Sequence, residues 1–226
     1  MTGKSPDDEA NGSEANFETD TLVNLLQRRA LEQPDQPAYS FLLDGENNVG
    51  SLTFRELDGQ ARAIAELLQS LSPAGERVLL LYPPGLEYVS AFFGCLYAGM
   101  ISVPTYPPRA NRTLPRLQSI VTDAAAAVAL TTKQTLLRMN SLAAEVPELG
   151  SLKYISTDDI SPDLAKDWKP LKISNTAVAL LQYTSGSTAT PRGVMLTHGN
   201  LLFNERLIQS AFQQTGESII VGWLPL

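Results

Sequence analysis

Hydroxyl side chains, two glycines and an arginine lie together in the ten residues 184–193. The segment 183–194 reads YTSGSTATPRGV, and the residues in it that suit a ligand are Thr184, Ser185, Gly186, Ser187, Thr188, Arg192 and Gly193. Glycines let the backbone approach a ligand closely, and hydroxyls donate to phosphate oxygens or bind a metal ion. The guanidinium adds a permanent, bidentate positive charge. These residue types predict a loop that binds a polyphosphate.

The loop directly follows AVALLQYT, residues 177–184, which has the pattern of a buried strand. Open α/β sheets place ligands at such strand ends. The loop is not a Walker P-loop, because Gly193 is followed by Val194 and Met195 instead of Lys and Ser or Thr. No dinucleotide fingerprint, zinc-ligand spacing or nucleophile elbow occurs in the chain. By composition alone, a flexible polar surface loop remains the alternative interpretation.

Strand and helix patterns alternate through the rest of the chain, which predicts an α/β fold with a largely parallel sheet flanked by helices. Strands are predicted at 37–43, 77–82, 100–106, 126–132, 152–156, 177–184, 193–197 and 218–226. Helices are predicted after the capping residues Thr21, Thr53 and Thr197, and at about 86–98, 112–123 and 133–144. The segment 156–174 is predicted to be a surface connection.

The net charge of −7 is concentrated at the N-terminus, where residues 1–20 hold six acids and one base. We predict a disordered acidic tail over residues 1–19. The nearly neutral remainder carries no electrostatic signature of nucleic-acid binding. The single cysteine, Cys95, lies in an apolar run and is predicted to be buried. A lone cysteine and an acidic N-terminus without an apolar stretch favour a cytoplasmic protein.

The uncharged segment 88–108 contains two glycines and three prolines, and its continuous apolar part is too short to span a bilayer. We therefore predict a buried helix and strand there, with no membrane span. His198, in the first turn of a predicted helix, is expected to have a structural role in preference to direct catalysis. Tyr82, Tyr97 and Tyr106 are expected to pack in the core, the alternative being an acyl pocket.

The order of residues in the loop resembles the phosphate-loop signature of the adenylate-forming superfamily, which includes acyl-CoA ligases, luciferases and peptide-synthetase adenylation domains. The usual pattern is Tyr/Phe-Thr-Ser-Gly-Ser/Thr-Thr-Gly-x-Pro-Lys-Gly. Here Ala189 replaces a glycine and Arg192 replaces the lysine. The segments SLTFRELD at 51–58 and GERVLLLYPPGLEYVSAFFGCLYAGMISVPTYPPR at 75–109 extend the similarity. They resemble most closely the fatty acyl-AMP ligases, which feed polyketide and lipopeptide assembly lines.

This resemblance implies an ATP-dependent ligase that uses Mg²⁺ to activate a fatty acid as acyl-AMP, with release of pyrophosphate. The acceptor would be an acyl carrier protein. Residues 20–226 would be the N-terminal portion of an AMP-binding adenylation domain, truncated at its C-terminal end. The catalytic residues are then expected downstream of Leu226, so the 226-residue chain alone is expected to be inactive.

Two alternatives remain open from the sequence. One is another adenylating enzyme, either an acyl-CoA ligase or an amino-acid adenylation domain. The other is a non-catalytic module that binds nucleotide or docks a carrier protein, which the Ala189 departure favours.

Overall fold

The computed structural model describes residues 20–42, 44–108, 114–143, 146–184 and 191–222. The predicted acidic tail at 1–19 lies outside these residues, as do Ser185, Gly186, Ser187 and Thr188 of the predicted phosphate loop. Thr184 and Pro191, which flank residues 185–190, are both described.

Helices and strands alternate through the middle of the described chain, from residue 54 to residue 143. The helices are α1 (Leu22–Glu32), α2 (Phe54–Leu71), α3 (Leu86–Tyr97), α4 (Leu114–Ala124), α5 (Lys133–Ala143), the four-residue α6 (Pro147–Gly150) and α7 (His198–Ala211). The strands are β1 (Pro37–Leu42), β2 (Asn48–Thr53), β3 (Arg77–Leu81), β4 (Ile101–Thr105), β5 (Val128–Thr131), β6 (Lys153–Ser156), β7 (Val178–Thr184) and β8 (Arg192–Thr197).

Side-chain caps define where three helices begin. Thr21 accepts the Asn24 N–H at the start of α1, and Thr53 and Glu56 form a complete capping box at the start of α2. Thr197 and Asn200 form the corresponding box at α7. Each cap satisfies amide groups that have no partner within the helix, so all three predicted helix starts are confirmed.

Six strands form the main sheet, in the order β6-β5-β3-β4-β7-β8. The first five are parallel, and β8 runs antiparallel beside β7. In the parallel register Leu81 of β3 lies beside Thr105 of β4 and Thr131 of β5. The carboxyl ends of the parallel strands therefore meet at one edge. The strands β1 and β2 form a separate antiparallel hairpin.

Helices cover both faces of this sheet, and β3 shows how. Its residues Val78 and Leu80 pack with α1, α2 and α3, whereas Leu79 and Leu81 pack with α4 and α5 on the opposite face. All four side chains are at most 1% exposed. A strand buried on both faces needs apolar residues at successive positions, which explains the run RVLLL and confirms the predicted α/β class.

The segment 88–108 forms most of α3 and the whole of β4, as predicted. Cys95 is fully buried within α3, and burial raises the pKa of its thiol well above the ordinary value. Its predicted role as a small core residue is confirmed. Among the described residues, no helix combines the length and apolar character needed to cross a membrane.

A buried polar group joins α2 to α3. Tyr97 donates its hydroxyl to Asp58 Oδ1 at 2.7 Å, and the Arg62 guanidinium lies 2.7 Å from Asp58 Oδ2. The Trp168 indole N–H donates to the Tyr97 carbonyl, and its ring lies under Arg62. Trp168 is only 8% exposed. The predicted surface connection is thus anchored to the core at this residue, because its indole can both bury its ring and satisfy its N–H.

Two further predictions differ from the structure. The strand predicted at 218–226 is wrong for the described residues 218–222, which form no strand and leave Ile219, Ile220 and Val221 exposed. A strand needs a partner for its backbone amides, and no described strand lies beside residues 218–222 to pair with them. Conversely, β2 was not predicted, because the sequence NVGSLT lacks a clear alternation of apolar and polar residues.

Candidate phosphate-binding site

The predicted phosphate loop connects the two strands of an antiparallel hairpin. Across that hairpin Tyr183 lies opposite Gly193, and Thr184 lies opposite Arg192. Thr184 and Arg192 are both exposed. The structure therefore brings these two predicted site residues together at the carboxyl edge of the parallel sheet, where the loop begins and ends.

Strand β7, which leads into the loop, is anchored at its start. The buried Ser102 hydroxyl of β4 donates to the Ala179 carbonyl at 2.8 Å. Ala179 itself is fully buried. At this same end of the hairpin, away from the loop, the His198 N–H donates to the Ala177 carbonyl at 3.1 Å. These contacts hold the strand in place beneath the exposed residues.

Gly193 is required for close packing across the hairpin. A β-carbon at this position would lie 2.9 Å from Cζ of the Tyr183 ring, which is closer than side-chain carbons normally approach. The glycine therefore lets the Tyr183 ring lie directly over the backbone of β8. This is a packing reason for a glycine that the sequence analysis assigned only to ligand approach.

Helix α4 also contacts the base of the loop. The Tyr183 hydroxyl donates to Asp123 Oδ2 at 2.5 Å, and Arg116 Nη2 donates to the Tyr183 carbonyl at 3.2 Å. Burial and the hydrogen bond to Asp123 raise the pKa of Tyr183, so its phenol stays protonated and remains a donor. Sequence reasoning missed Asp123 and Arg116, because no local pattern connects a helix surface with a loop sixty residues later.

His198 lies at the start of α7 and is 2% exposed. Its Nδ1 accepts the Leu22 N–H of α1 at 3.3 Å. Burial lowers its pKa to about 4, so the imidazole is neutral at pH 7 and serves as an acceptor. These contacts join two helix starts and agree with the predicted structural role.

The stability of the protein is expected to fall as the pH drops from about 6.5 to about 4, in part because of His198. Burial lowers the folded-state pKa of this residue from 6.5 to about 4, so in this window the unfolded chain binds a proton that the folded chain does not. Its contribution is complete above pH 6.5. Urea midpoints of wild-type protein and His198→Gln should converge as the pH falls. A difference that does not change with pH would contradict the assignment.

The three tyrosines considered for the core or for an acyl pocket differ in how exposed their side chains are. Tyr82 and Tyr97 are at most 3% exposed and pack in the core. Tyr82 also shares a hydrogen bond of 3.0 Å with Thr157. Tyr106, by contrast, is 48% exposed and follows β4 at the carboxyl edge. The core-packing prediction is therefore confirmed for Tyr82 and Tyr97 and wrong for Tyr106.

An open groove of about 420 Å³ lies between α2, α3 and the turn after β6. Among the described residues, two charged side chains line its wall, and both Glu87 and Asp158 are acids. The groove lies on the β6 side of the sheet, whereas the predicted loop lies on the β7 side. Its charge and its position both make it a poor phosphate site.

Comparison with known proteins identifies the family. A model of the AMP-binding enzyme family matches residues 26–226. The chain is 46% identical over 212 residues to the medium-chain-fatty-acid–[acyl-carrier-protein] ligase JamA of Moorena producens, covering 92% of this chain and 36% of that protein. It is 35% identical over 215 residues to the long-chain-fatty-acid–AMP ligase FadD26 of Mycobacterium tuberculosis, covering 91% of this chain and 36% of that one.

Among solved structures, the chain resembles the fatty acyl-adenylate ligase of L. pneumophila, crystallised with acyl adenylate and pyrophosphate. The TM-score is 0.84 and the identity 37%, over 94% of this chain and 36% of that one. The chain therefore belongs to the AMP-binding enzyme family, and its predicted resemblance to fatty acyl-AMP ligases is confirmed. It spans about a third of the length of the relatives it matches.

Proposed function

We propose that the chain is part of an ATP-dependent ligase that converts a fatty acid to acyl-AMP with release of pyrophosphate. The observation that carries this proposal is the hairpin that places Thr184 and Arg192 side by side at the carboxyl edge of the sheet. Relatives named as fatty-acid ligases support the choice of a fatty acid as the substrate.

In this proposal the loop holds the β- and γ-phosphates of ATP. Arg192 offsets the negative charge that develops on the leaving pyrophosphate, and the hydroxyls of Thr184, Ser185, Ser187 and Thr188 donate to its oxygens. Gly186 and Gly193 allow the backbone to approach the phosphates. The contribution of these residues is positioning and electrostatic stabilisation, which dominate this kind of transfer.

A magnesium ion fits the site only through oxygen donors. Among the residues that the structure describes, no group of three or more His, Cys, Asp or Glu side chains is placed to hold a metal. Thr184 is exposed at the strand end, and hydroxyl and phosphate oxygens are ligands that Mg²⁺ accepts. Thr184 would therefore help to hold an ion that arrives with ATP. Bound there, Mg²⁺ would neutralise phosphate charge.

The acceptor of the acyl group is proposed to be the phosphopantetheine thiol of an acyl carrier protein. The name of JamA specifies such a protein as acceptor, and the resemblance noted in the sequence points the same way. The thiol sulfur would attack the acyl carbonyl carbon, and AMP would leave with the oxygen that joined it to the acyl group. We propose a cytoplasmic location on the same grounds as in the sequence analysis.

The test is mass spectrometry for acyl-AMP, using protein expressed from the complete reading frame together with ATP, Mg²⁺ and fatty acids of several chain lengths. Acyl-AMP should accumulate and should disappear when carrier protein is added. Free CoA should leave it unchanged. Consumption by CoA instead would identify an acyl-CoA ligase. Folded protein that binds ATP but forms no acyl-AMP from any acid would favour the non-catalytic alternative.

A further inference from the structure

Tyr183 is the penultimate residue of β7 and contacts helix α4 and strand β8 at the same time. We propose that Tyr183 and Asp123 are positioning residues that fix the base of the phosphate-binding loop, with Arg116 supporting the same peptide unit. This inference rests on the proposed function, since it assigns a role to residues that would not themselves touch ATP.

Three contacts converge on this one tyrosine. Its hydroxyl donates to Asp123 Oδ2 at 2.5 Å, and its carbonyl accepts from Arg116 Nη2 at 3.2 Å. Its ring lies over Gly193, where an added β-carbon would be 2.9 Å from Cζ. The side chain is thus fixed at its tip and along its ring, and the backbone is fixed at its carbonyl.

Because Tyr183 borders the predicted loop, these contacts restrain the loop as well as the strand. The carbonyl that Arg116 holds belongs to the peptide unit that links Tyr183 to Thr184, the first residue of the predicted site. Gly193, on which the ring rests, is the last residue of that site. The contacts from α4 therefore restrain both ends of the loop. A shift of about 1 Å in groups that orient a substrate can cost about a hundredfold in rate.

The exposure of the pair argues against a role in fold stability alone. Asp123 is exposed and Tyr183 is only partly buried, so both groups can exchange this hydrogen bond for one with water at little cost in the free energy of unfolding. In this proposal the contact between Tyr183 and Asp123 affects the geometry of the loop more than it affects folding. The inference therefore predicts separable effects on ATP binding and on thermal stability.

The test compares four substitutions in protein expressed from the complete reading frame. Tyr183→Phe removes the donor and keeps the ring, Asp123→Ala removes the acceptor, and Asp123→Asn keeps an acceptor oxygen. Tyr154→Phe is the matched control, because Tyr154 packs against the same core cluster and its buried hydroxyl has no hydrogen-bond partner among the described residues. KM for ATP, KM for the fatty acid and the thermal midpoint are measured for each.

We expect Tyr183→Phe and Asp123→Ala each to raise KM for ATP about tenfold, because a loop that is less well fixed beforehand must be ordered when ATP binds. KM for the fatty acid and the thermal midpoint should change little. The double variant should be no worse than either single one, and Asp123→Asn should recover most of the loss. The control Tyr154→Phe should leave KM for ATP unchanged.

The inference would be overturned if Tyr183→Phe and Tyr154→Phe had the same KM for ATP. It would also be overturned if Tyr183→Phe raised KM for ATP and KM for the fatty acid equally, or lowered the thermal midpoint without changing either KM. Failure of the proposed function has a different signature, since wild-type protein would then form no acyl-AMP. In that case ATP affinity is measured directly by calorimetry, with the same tenfold expectation. Absence of ATP binding by wild-type protein would overturn both proposals.

Discussion

Replacing Arg192 by alanine is expected to lower the rate of acyl-AMP formation by about a hundredfold or more, which is the usual cost of removing one group that stabilises transition-state charge. Arg192 lies opposite Thr184 at the end of the hairpin and is exposed. In the proposed function its guanidinium contacts the leaving pyrophosphate. Steady-state kinetics with saturating fatty acid would measure the effect on kcat and on KM for ATP.

Two further substitutions make this result specific. Arg192→Lys keeps the charge but not the bidentate geometry, and it should retain much more activity than the alanine variant. Arg55→Ala removes an equally charged side chain that pairs with Asp35 at the surface and should have no effect on the rate. A loss for Arg192→Ala that is smaller than about threefold would remove this residue from the proposed charge stabilisation.

Replacing Asp58 by alanine is expected to lower the free energy of unfolding by about 3 kcal/mol, because two partners lose their acceptor. The Tyr97 hydroxyl, in a residue with no exposed surface, would have no acceptor in its place. Arg62, whose side chain is 35% exposed, would lose its carboxylate. A change of this size in a protein of this length lowers the thermal midpoint by about 10 °C.

The matched control is Asp35→Ala, which removes the carboxylate of an exposed pair. Asp35 and Arg55 are 86% and 65% exposed, and such pairs contribute at most about 1 kcal/mol. Thermal unfolding of both variants should therefore separate them clearly. If the two substitutions lowered the midpoint equally, the buried group around Tyr97 would not be what holds α2 to α3.

The elements that the sequence predicted well have a local physical cause. The capping box of Thr53 and Glu56 defines the start of α2 within a few residues. The run RVLLL has apolar residues at successive positions, so it supplies apolar side chains to both faces of a strand. This pattern alone predicts a buried strand. The order of residues at 183–194 indicates the superfamily, because the match to its phosphate-loop signature is long and specific.

The features that the sequence did not predict depend on distant parts of the chain. The contact between Tyr183 and Asp123 joins residues sixty positions apart, and nothing local indicates it. Pairing with β1 makes β2 a strand, although its composition is polar. The same cause explains the opposite error at 218–222, where apolar residues have the composition of a strand but no strand beside them among the described residues. In both cases a strand forms only where a neighbouring strand pairs with it.

In the proposed reaction a fatty-acid carboxylate oxygen attacks the α-phosphorus of ATP and displaces pyrophosphate. A fatty acid labelled with ¹⁸O at both carboxylate oxygens, incubated with ATP, Mg²⁺, carrier protein and protein from the complete reading frame, tests this directly. The account predicts one ¹⁸O atom in the phosphate of the AMP released and the other in the thioester carbonyl. AMP without ¹⁸O would contradict it, because the carboxylate would then never have been bonded to the α-phosphorus.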